Sequence, residues 1–557
     1  MLSFNKAATK ASSKEAEVAD AYVNSVVGSE QSRHALAHEV WWILFAGALL
    51  RLTFFFLAEN NGGDALARAA MTAGFLKHPG SWLNFEPWLP MHFWLMAGMS
   101  MIVGEPALGA RMLSLLLGTA SLGIFWLLAR EVYGQSAATL SLMVFALYSL
   151  HIGYSTTSSS EVPYLFFMLA GLLAFFIYRR SGSLAILGLG AVALGISGGI
   201  RYEAWVCIFA LVLILILMPR ANATGRFWRA EHVREVFLFG ATAGAWPLFW
   251  LIYQWKAFGK PLYGVTMNYK WVVEQAAIEH KSKLYHVALS PGVILLTLSP
   301  VIVAVSFYGL ALGLREPAGR AFALIFLMMA AAFSYQILTG GLLPLARYTI
   351  TLGTLLALAS GYGLERFAQP LSQQAARRFR TAIALLLIIN LGAILALSEA
   401  HNRFSDQFSA ISPRLRFRRH IEEVRRYLKP QLKPDDAVII DDYNVESNII
   451  AAAIGLPLDT ADRAFLASSQ PVSELLDYMD RRHPRYLIYS DRGVLNAYLT
   501  LPGSCTTSFI SFNGMEFRCV FASDIYRVYE VIYGQSRTGS TRAQASRSRP
   551  DGSALIQ

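Results

Sequence analysis

The feature that most limits what this chain can become is a succession of apolar segments. Twelve can be drawn: 41–58, 88–104, 108–130, 136–153, 162–178, 183–200, 203–218, 236–255, 290–314, 319–338, 341–363 and 380–398. Most approach the roughly 20 residues that cross a bilayer core as a helix. A helix satisfies its own backbone hydrogen bonds in lipid, so runs of this kind predict a polytopic helical membrane protein. Composition agrees: of 557 residues 55% are hydrophobic and 15% charged, against about a quarter charged in a soluble domain.

The net charge of +11 does not indicate nucleic acid. The basic residues cluster between apolar segments, a pattern of membrane topology and contact with anionic headgroups. Residues 1–40 are polar, and the first 35 lack the pattern of a cleaved signal, so the first apolar segment reads as a retained anchor. The Arg- and Ser-rich tail, 534–557, is expected to be disordered.

The arginines choose among topologies. Without 88–104 the spans number eleven, and one side then receives Arg130, Arg179 and Arg180, the Arg220–Arg234 cluster, Arg315 and Arg320, and Arg366–Arg380. That is the positive-inside pattern. Segment 88–104, rich in Trp, Met and Phe, is then a surface helix lying against the membrane. The lysines of loop 256–290 are the exception to the pattern. The expected organisation is a membrane domain over 41–398 and an outside α/β domain over 399–533.

In that second domain Val438–Asp441 and Tyr486–Tyr489 read as short buried strands. Helices are expected near 414–429 and 473–482, two strands around Asn513-Gly514, and a last strand at 526–532. No Gly-rich phosphate loop follows the early strands. The acidic pairs Asp435-Asp436 and Asp441-Asp442 read as solvated loop residues. Of three cysteines, Cys207 lies inside an apolar segment and reads as inert packing. A two-residue Asn513-Gly514 turn would place Cys505 opposite residue 522, so its register does not favour a bond between Cys505 and Cys519.

With eleven spans, several polar residues converge on the outside face. Asp64 follows Gly62-Gly63, where the backbone can approach a ligand closely, and Arg68 lies one helical turn on. A helix N-cap with a supporting ion pair fits the same residues. Glu161 opens a membrane helix, with Ser160 as its cap; a carboxylate there also simply complements the helix dipole. Arg201 and Glu203 flank Tyr202 between two apolar segments, where charge is costly unless paired or functional; a simple Arg201–Glu203 pair in a tight loop fits equally well. Arg347-Tyr348 follows Gly340-Gly341-Leu-Leu-Pro344, and arginine suits phosphate because its planar fork binds two oxygens; interfacial anchoring is the alternative. His92, on the surface helix, can hydrogen-bond a sugar or serve structure alone. No His/Cys cluster has zinc spacing.

These residues resemble, in order, the polytopic lipid-linked-sugar-dependent glycosyltransferases of the GT-C fold, in particular the superfamily of protein O-mannosyltransferases and lipid A aminoarabinose transferases. The resemblance runs over roughly 41–533. One span leads to an acidic residue, Asp64. A surface helix follows, Trp88-Leu-Pro90-Met-His92-Phe-Trp94-Leu. Next comes Ala110-Arg111-Met-Leu-Ser114-Leu-Leu-Leu-Gly118, ending in Leu-Ala-Arg130-Glu-Val-Tyr-Gly134. A second acidic position falls in Ser160-Glu161-Val-Pro-Tyr-Leu, Arg347-Tyr348 precedes a late span, and an outer α/β domain closes the chain. Many relatives carry Asp where this chain has Glu161. The Trp-Trp-Asp motif of oligosaccharyltransferase catalytic subunits is absent, since Trp41-Trp42 is not followed by Asp.

The resemblance implies an integral membrane enzyme; the expected compartment is a bacterial plasma membrane with the site facing out, and the endoplasmic reticulum is the alternative. Such an enzyme would move one sugar from a polyprenyl-phosphate carrier to a hydroxyl of a lipid, glycan or protein, with inversion. It implies Asp64 as general base or acceptor-positioning group, and Glu161 as the group that orients substrate and stabilises positive charge on the sugar. Arg347, Tyr348, Arg201 and Lys270 would hold the leaving phosphate. Glu86, His92, Arg68 and Glu203 would line the sugar or acceptor pocket. No cofactor is implied; two carboxylates are enough to share a divalent metal, and that point stays open. The competing reading is a transporter or flippase of lipid-linked sugars, which would want charges buried mid-span or an internal helix repeat.

Overall fold

The computed structural model describes residues 38–533, apart from 60–62, 84, 86–87, 219–229, 271–282, 340–344, 405–416, 443–445, 457–463, 468–471, 498, 500, 502–504, 506–509 and 513–514. The expectations for the polar N-terminal residues up to 37, for Glu86, for Gly340–Pro344, for Asn513-Gly514 and for the tail lie outside the described residues. The chain divides into two compact units, up to Arg418 and from Arg419.

The first unit is helical. In order come α1 (His38–Leu57), α2 (Gly63–Lys77), α3 (Met91–Val103), α4 (Pro106–Tyr133), α5 (Gln135–Ala146), α6 (Ser149–Tyr154), α7 (Glu161–Ser181), α8 (Leu184–Ile200) and α9 (Glu203–Leu217). Then follow α10 (Ala230–Phe258), α11 (Lys283–Leu298), α12 (Pro300–Gly313), α13 (Pro317–Leu338), α14 (Ile350–Ala368) and α15 (Gln373–Phe404). Local chemistry sets the ends. The Glu105 carboxylate accepts the free N–H groups of Ala107 and Leu108 at the start of α4, with Pro106 at the first helical position. Gly182, at φ 76°, closes α7, a conformation that glycine reaches without a Cβ penalty.

Among the described residues, α1, α4, α7, α10, α13 and α15 contain stretches long and apolar enough to cross a membrane. Two expected spans are broken. Segment 290–314 is the pair α11 and α12, bent by 99°; Ser299 sits between them at φ 70° and caps Ile302, and Pro300 has no N–H to continue α11. Segment 136–153 is α5 and α6, because Tyr148 is extended rather than helical. Helices α3, α5, α8 and α9 are shorter apolar elements. At 13 residues, α3 is about 20 Å long, short of a 30 Å hydrocarbon core.

Small residues set how closely the helices approach. A Cβ on Gly309 would lie 2.1 Å from the Ala359 carbonyl, and one on Gly361 2.1 Å from that of Ala137. Helices α12 and α5 therefore meet α14 almost backbone to backbone, as small residues permit in lipid. The Ser141 hydroxyl donates to Leu358 O across the second contact at 2.7 Å.

The second unit holds a six-stranded sheet of order β2-β1-β3-β6-β5-β4. The strands are β1 (Val438–Asp441), β2 (Ala464–Ala467), β3 (Tyr486–Tyr489), β4 (Ile510–Phe512), β5 (Met515–Ala522) and β6 (Arg527–Tyr533). β1 pairs parallel with β2 and β3, in register Val438 to Ala464 and Val438 to Tyr486. β6 runs antiparallel to β3 and β5, and β4 to β5. Helices α16 (Arg419–Leu428), α17 (Ser447–Ala453) and α18 (Val472–Arg482) belong to this unit. β1 and β3 are buried along their whole length, which is why they read as apolar runs.

Two expectations are corrected here. Asp441 is not solvated: it is fully buried, and its two oxygens accept the backbone N–H of Ser490 at 3.1 Å and Leu495 at 2.9 Å. Gly493 leaves the room, since a Cβ there would overlap the carboxylate. Cys505 and Cys519 are joined by a disulfide. The Phe512–Met515 register fits a two-residue turn, but β4 begins only at Ile510, so the ladder does not fix the position of residue 505.

Candidate active site

Five polar side chains from four places in the first unit form a continuous line of alternating charge. Asp64, in the first turn of α2, accepts a hydrogen bond from Arg347 Nη1. Arg347 lies on a 3-10 turn, Ala346–Thr349, immediately before α14. Its Nε is 4.0 Å from Glu161 Oε1, at the start of α7. Arg201, in the link between α8 and α9, donates to the same Glu161 oxygen at 2.8 Å and, through Nε, to Glu203 Oε1 at 3.0 Å. The order is Asp64, Arg347, Glu161, Arg201, Glu203.

Tyr348 sits among these groups. Its hydroxyl accepts from Arg347 Nη2 at 3.1 Å, and its ring centroid is 5.0 Å from the Arg347 guanidinium and 5.7 Å from that of Arg201. Glu161 is 2% exposed, whereas the Asp64 side chain is 27% exposed. The charge line therefore runs from a half-open end at Asp64 to a closed middle at Glu161.

Electrostatics fixes the protonation states. Burial pushes the Asp64 carboxyl up, but the charges of Arg347, Arg68 and Arg201 and the Arg347 hydrogen bond outweigh it and hold it below the usual carboxylate range. Burial works against the Arg347 charge, yet Asp64, Tyr348 and Glu161 raise it well above its ordinary value. Arg201 is raised too, with Glu203 and Glu161 overcoming burial.

The ion pair expected between Asp64 and Arg68 is replaced by the one with Arg347. Arg68, buried, lies with its guanidinium 4.5 Å from the Trp88 ring centroid and 5.6 Å from that of Phe93. Burial brings it down to about 10, with Asp64 and Glu161 acting the other way. Ser160 does not cap α7; its hydroxyl accepts from Arg201 Nη1 at 3.2 Å. His92 is fully buried, and among the described residues neither ring nitrogen has a hydrogen-bond partner. Burial, then the charges of Arg68 and Arg201, hold its imidazole well below its ordinary value and so neutral.

Lys270 is exposed in a helical stretch, and among the described residues no contact joins it to the charge line. Glu86 lies outside the described residues. Among the described residues no group of three or more His, Cys, Asp or Glu side chains is placed to hold a metal ion. Asp64 and Glu161 each engage an arginine.

Residues 77–239 match the family model described as dolichyl-phosphate-mannose-protein mannosyltransferase. Comparison with curated protein sequences returned no match. Among solved structures, the chain superposes on ArnT from Cupriavidus metallidurans bound to undecaprenyl phosphate with a TM-score of 0.54 and 13% identity, over 89% of this chain and 99% of that one. ArnT in the apo state gives 0.53, at the same identity and coverage. The fold is GT-C. The apo Archaeoglobus fulgidus oligosaccharyltransferase also matches, at a TM-score of 0.44 and 13% identity, over 81% of this chain and 69% of that one.

Within this GT-C fold, the sequence pointed to each member of the charge line one at a time. Apart from the local pair of Arg201 with Glu203, it did not reveal their pairing. Asp64 and Arg347 are 283 residues apart and Glu161 and Arg201 are 40 apart; no local spacing records such contacts. Ser160 as an arginine partner was missed for the same reason.

Proposed function

We propose that the chain is a membrane glycosyltransferase. It moves one sugar from a polyprenyl-phosphate carrier to an acceptor hydroxyl by direct, inverting displacement. The observation that carries this reading is the charge line itself, above all Arg347 shared between Asp64, Tyr348 and Glu161. ArnT, solved with undecaprenyl phosphate, supports the choice of carrier.

In this reading Asp64, held ionised, orients the acceptor hydroxyl and takes its proton as the anomeric carbon is attacked. Glu161 stabilises positive charge developing on the sugar ring. Negative charge builds on the departing phosphate, where preorganised cations help most; Arg347 and Arg201 are those cations, with Tyr348 as a further hydrogen-bond donor. Arg68 lies close enough to be felt by Asp64 and Glu161; Arg68 and Glu203 are proposed for the sugar or acceptor pocket. Neutral His92, whose ring nitrogens have no hydrogen-bond partner among the described residues, can donate to one sugar hydroxyl and accept from another. Glu86 is proposed for the same pocket. Lys270 has no support from the geometry.

We further propose that the site and the second unit face out of a bacterial plasma membrane. The arginine distribution supports this, as does the Cys505–Cys519 disulfide, since such bonds persist in oxidising compartments. The deciding experiment presents the purified protein in nanodiscs with a panel of polyprenyl-phosphate sugars, plus membrane extract as a source of acceptor, and measures free polyprenyl phosphate. Release with one sugar, falling by about 10²-fold or more in Asp64→Asn, is expected. No release from any donor overturns the reading in favour of transport.

A further inference from the structure

Arg111 lies near the start of an apolar helix, α4, within reach of the charge of Glu105 at the head of that helix, but among the described residues its hydrogen bonds do not go to a carboxylate. A charge there is costly in a membrane protein and calls for a partner. Its partners are backbone carbonyls from two distant segments. Nε donates to Thr156 O at 2.8 Å. Nη2 donates to Phe55 O at 2.6 Å and Ala58 O at 2.9 Å. The guanidinium also lies 4.4 Å from the Phe55 ring centroid.

Both segments lead directly into the charge line. Ala58 is six residues before Asp64, and Thr156 is five before Glu161. Phe55 lies in the last turn of α1, where carbonyls lack helical partners and the dipole favours a cation. We infer that Arg111 is a positioning residue that clamps the chain leading to Asp64 against the chain leading to Glu161, and so sets the spacing of the two carboxylates. This rests on the glycosyltransferase reading for its catalytic consequence, but the clamp itself does not.

Two further features of the same helices act with it. Gly118 lies about two turns along α4 from Arg111, on the same face. A Cβ there would lie 2.3 Å from Ser155 Oγ and 2.7 Å from Ser155 Cβ, so its absence lets the segment before Glu161 lie against α4. One turn before Phe55, the fully buried Arg51 donates to Gly47 O at 2.9 Å and meets His151 Nδ1 at 2.8 Å. Helix α1 is thus tied at two levels to the chain before Glu161. A lysine cannot replace the fork of Arg111, because a point donor does not reach three oxygens in fixed directions.

The test uses the whole protein in nanodiscs. Amide hydrogen exchange is measured by mass spectrometry on peptides covering 52–64 and 153–165, in wild type and Arg111→Gln. Faster exchange in both peptides, with distant helices unchanged, is expected; an unchanged rate in either overturns the clamp, whatever the enzyme does. If wild type turns over a donor, Arg111→Gln is expected to lower kcat by about 10²-fold, the order lost on misplacing a reacting group by about 1 Å, with donor KM within about threefold. Arg111→Lys should recover less than a tenth of the lost rate. Wild-type kcat in Arg111→Gln overturns the positioning role. Should Arg111→Gln fail to accumulate, Gly118→Ala is expected to lower kcat at least tenfold, and adding Ser155→Gly to restore it; no loss, or loss without restoration, also overturns it. Faster exchange in a protein that turns over no donor leaves the clamp standing and removes the enzyme reading.

Discussion

Asp64 and Glu161 are both paired with arginine, but their surroundings differ. Glu161 is 2% exposed and shares Arg201 with Glu203, while Asp64 is partly open. Removing one partner of a buried pair leaves an uncompensated charge and costs about 3–5 kcal/mol; removing a half-open one costs less. Glu161→Ala is therefore expected to lower both the melting temperature and the yield of folded protein, whereas Asp64→Asn should lower turnover with a nearly unchanged melting temperature. Arg347 also sets a pH dependence. It holds the Asp64 carboxyl below the usual range, so the stability from that ionised group is present above the unfolded carboxylate value and lost only as pH falls through the lower, folded one. In Arg347→Gln the acid limb of the kcat/KM profile should move to higher pH. An unmoved limb would show that Asp64 is not the group titrating there.

At the scale of elements, the links between helices are where local sequence and tertiary contact disagree most. Segment 290–314 has the apolar length of a single span, yet Ser299 and Pro300 divide it. The signal was present in Ser-Pro, but apolar length outweighed it. In the second unit the sequence located β1 and β3 because both are buried along their length. It missed β2 and α17, which are short and carry no distinctive periodicity. Asp441 joins β1 to the loop after β3, and burial, opposed by its backbone hydrogen bonds to Leu495, Ser490 and Asp442, raises its carboxyl to about 6. A raised value means that its contribution is full below the unfolded value of about 3.9 and is lost as pH rises through about 6. The unfolding transition of the second unit should thus lose on the order of 2–3 kcal/mol between pH 4 and 7. Asp441→Asn should flatten that slope; an equal slope in the variant would place its origin elsewhere.

At the scale of the molecule, the proposed orientation is tested by labelling from one side of the membrane. Single cysteines placed at Arg130 and Arg366, in a Cys207→Ala background, should resist an impermeant maleimide in intact cells, while one at exposed Glu516 should react; reaction at all three would overturn the orientation. The sequence alone determined that this is a helical membrane protein with a separate α/β unit, because apolar length and period are local properties that the solvent enforces segment by segment. It also marked Asp64, Glu161, Arg201 and Arg347, since charge in an apolar chain is rare enough to stand out. Only the tertiary structure decided that Arg347 takes Asp64 while Arg68 rests on Trp88, that Arg201 reaches Glu161, and that Arg111 joins the two segments leading to the carboxylates. Those pairings depend on the close approach of helices far apart in sequence, and no spacing along one chain records that geometry.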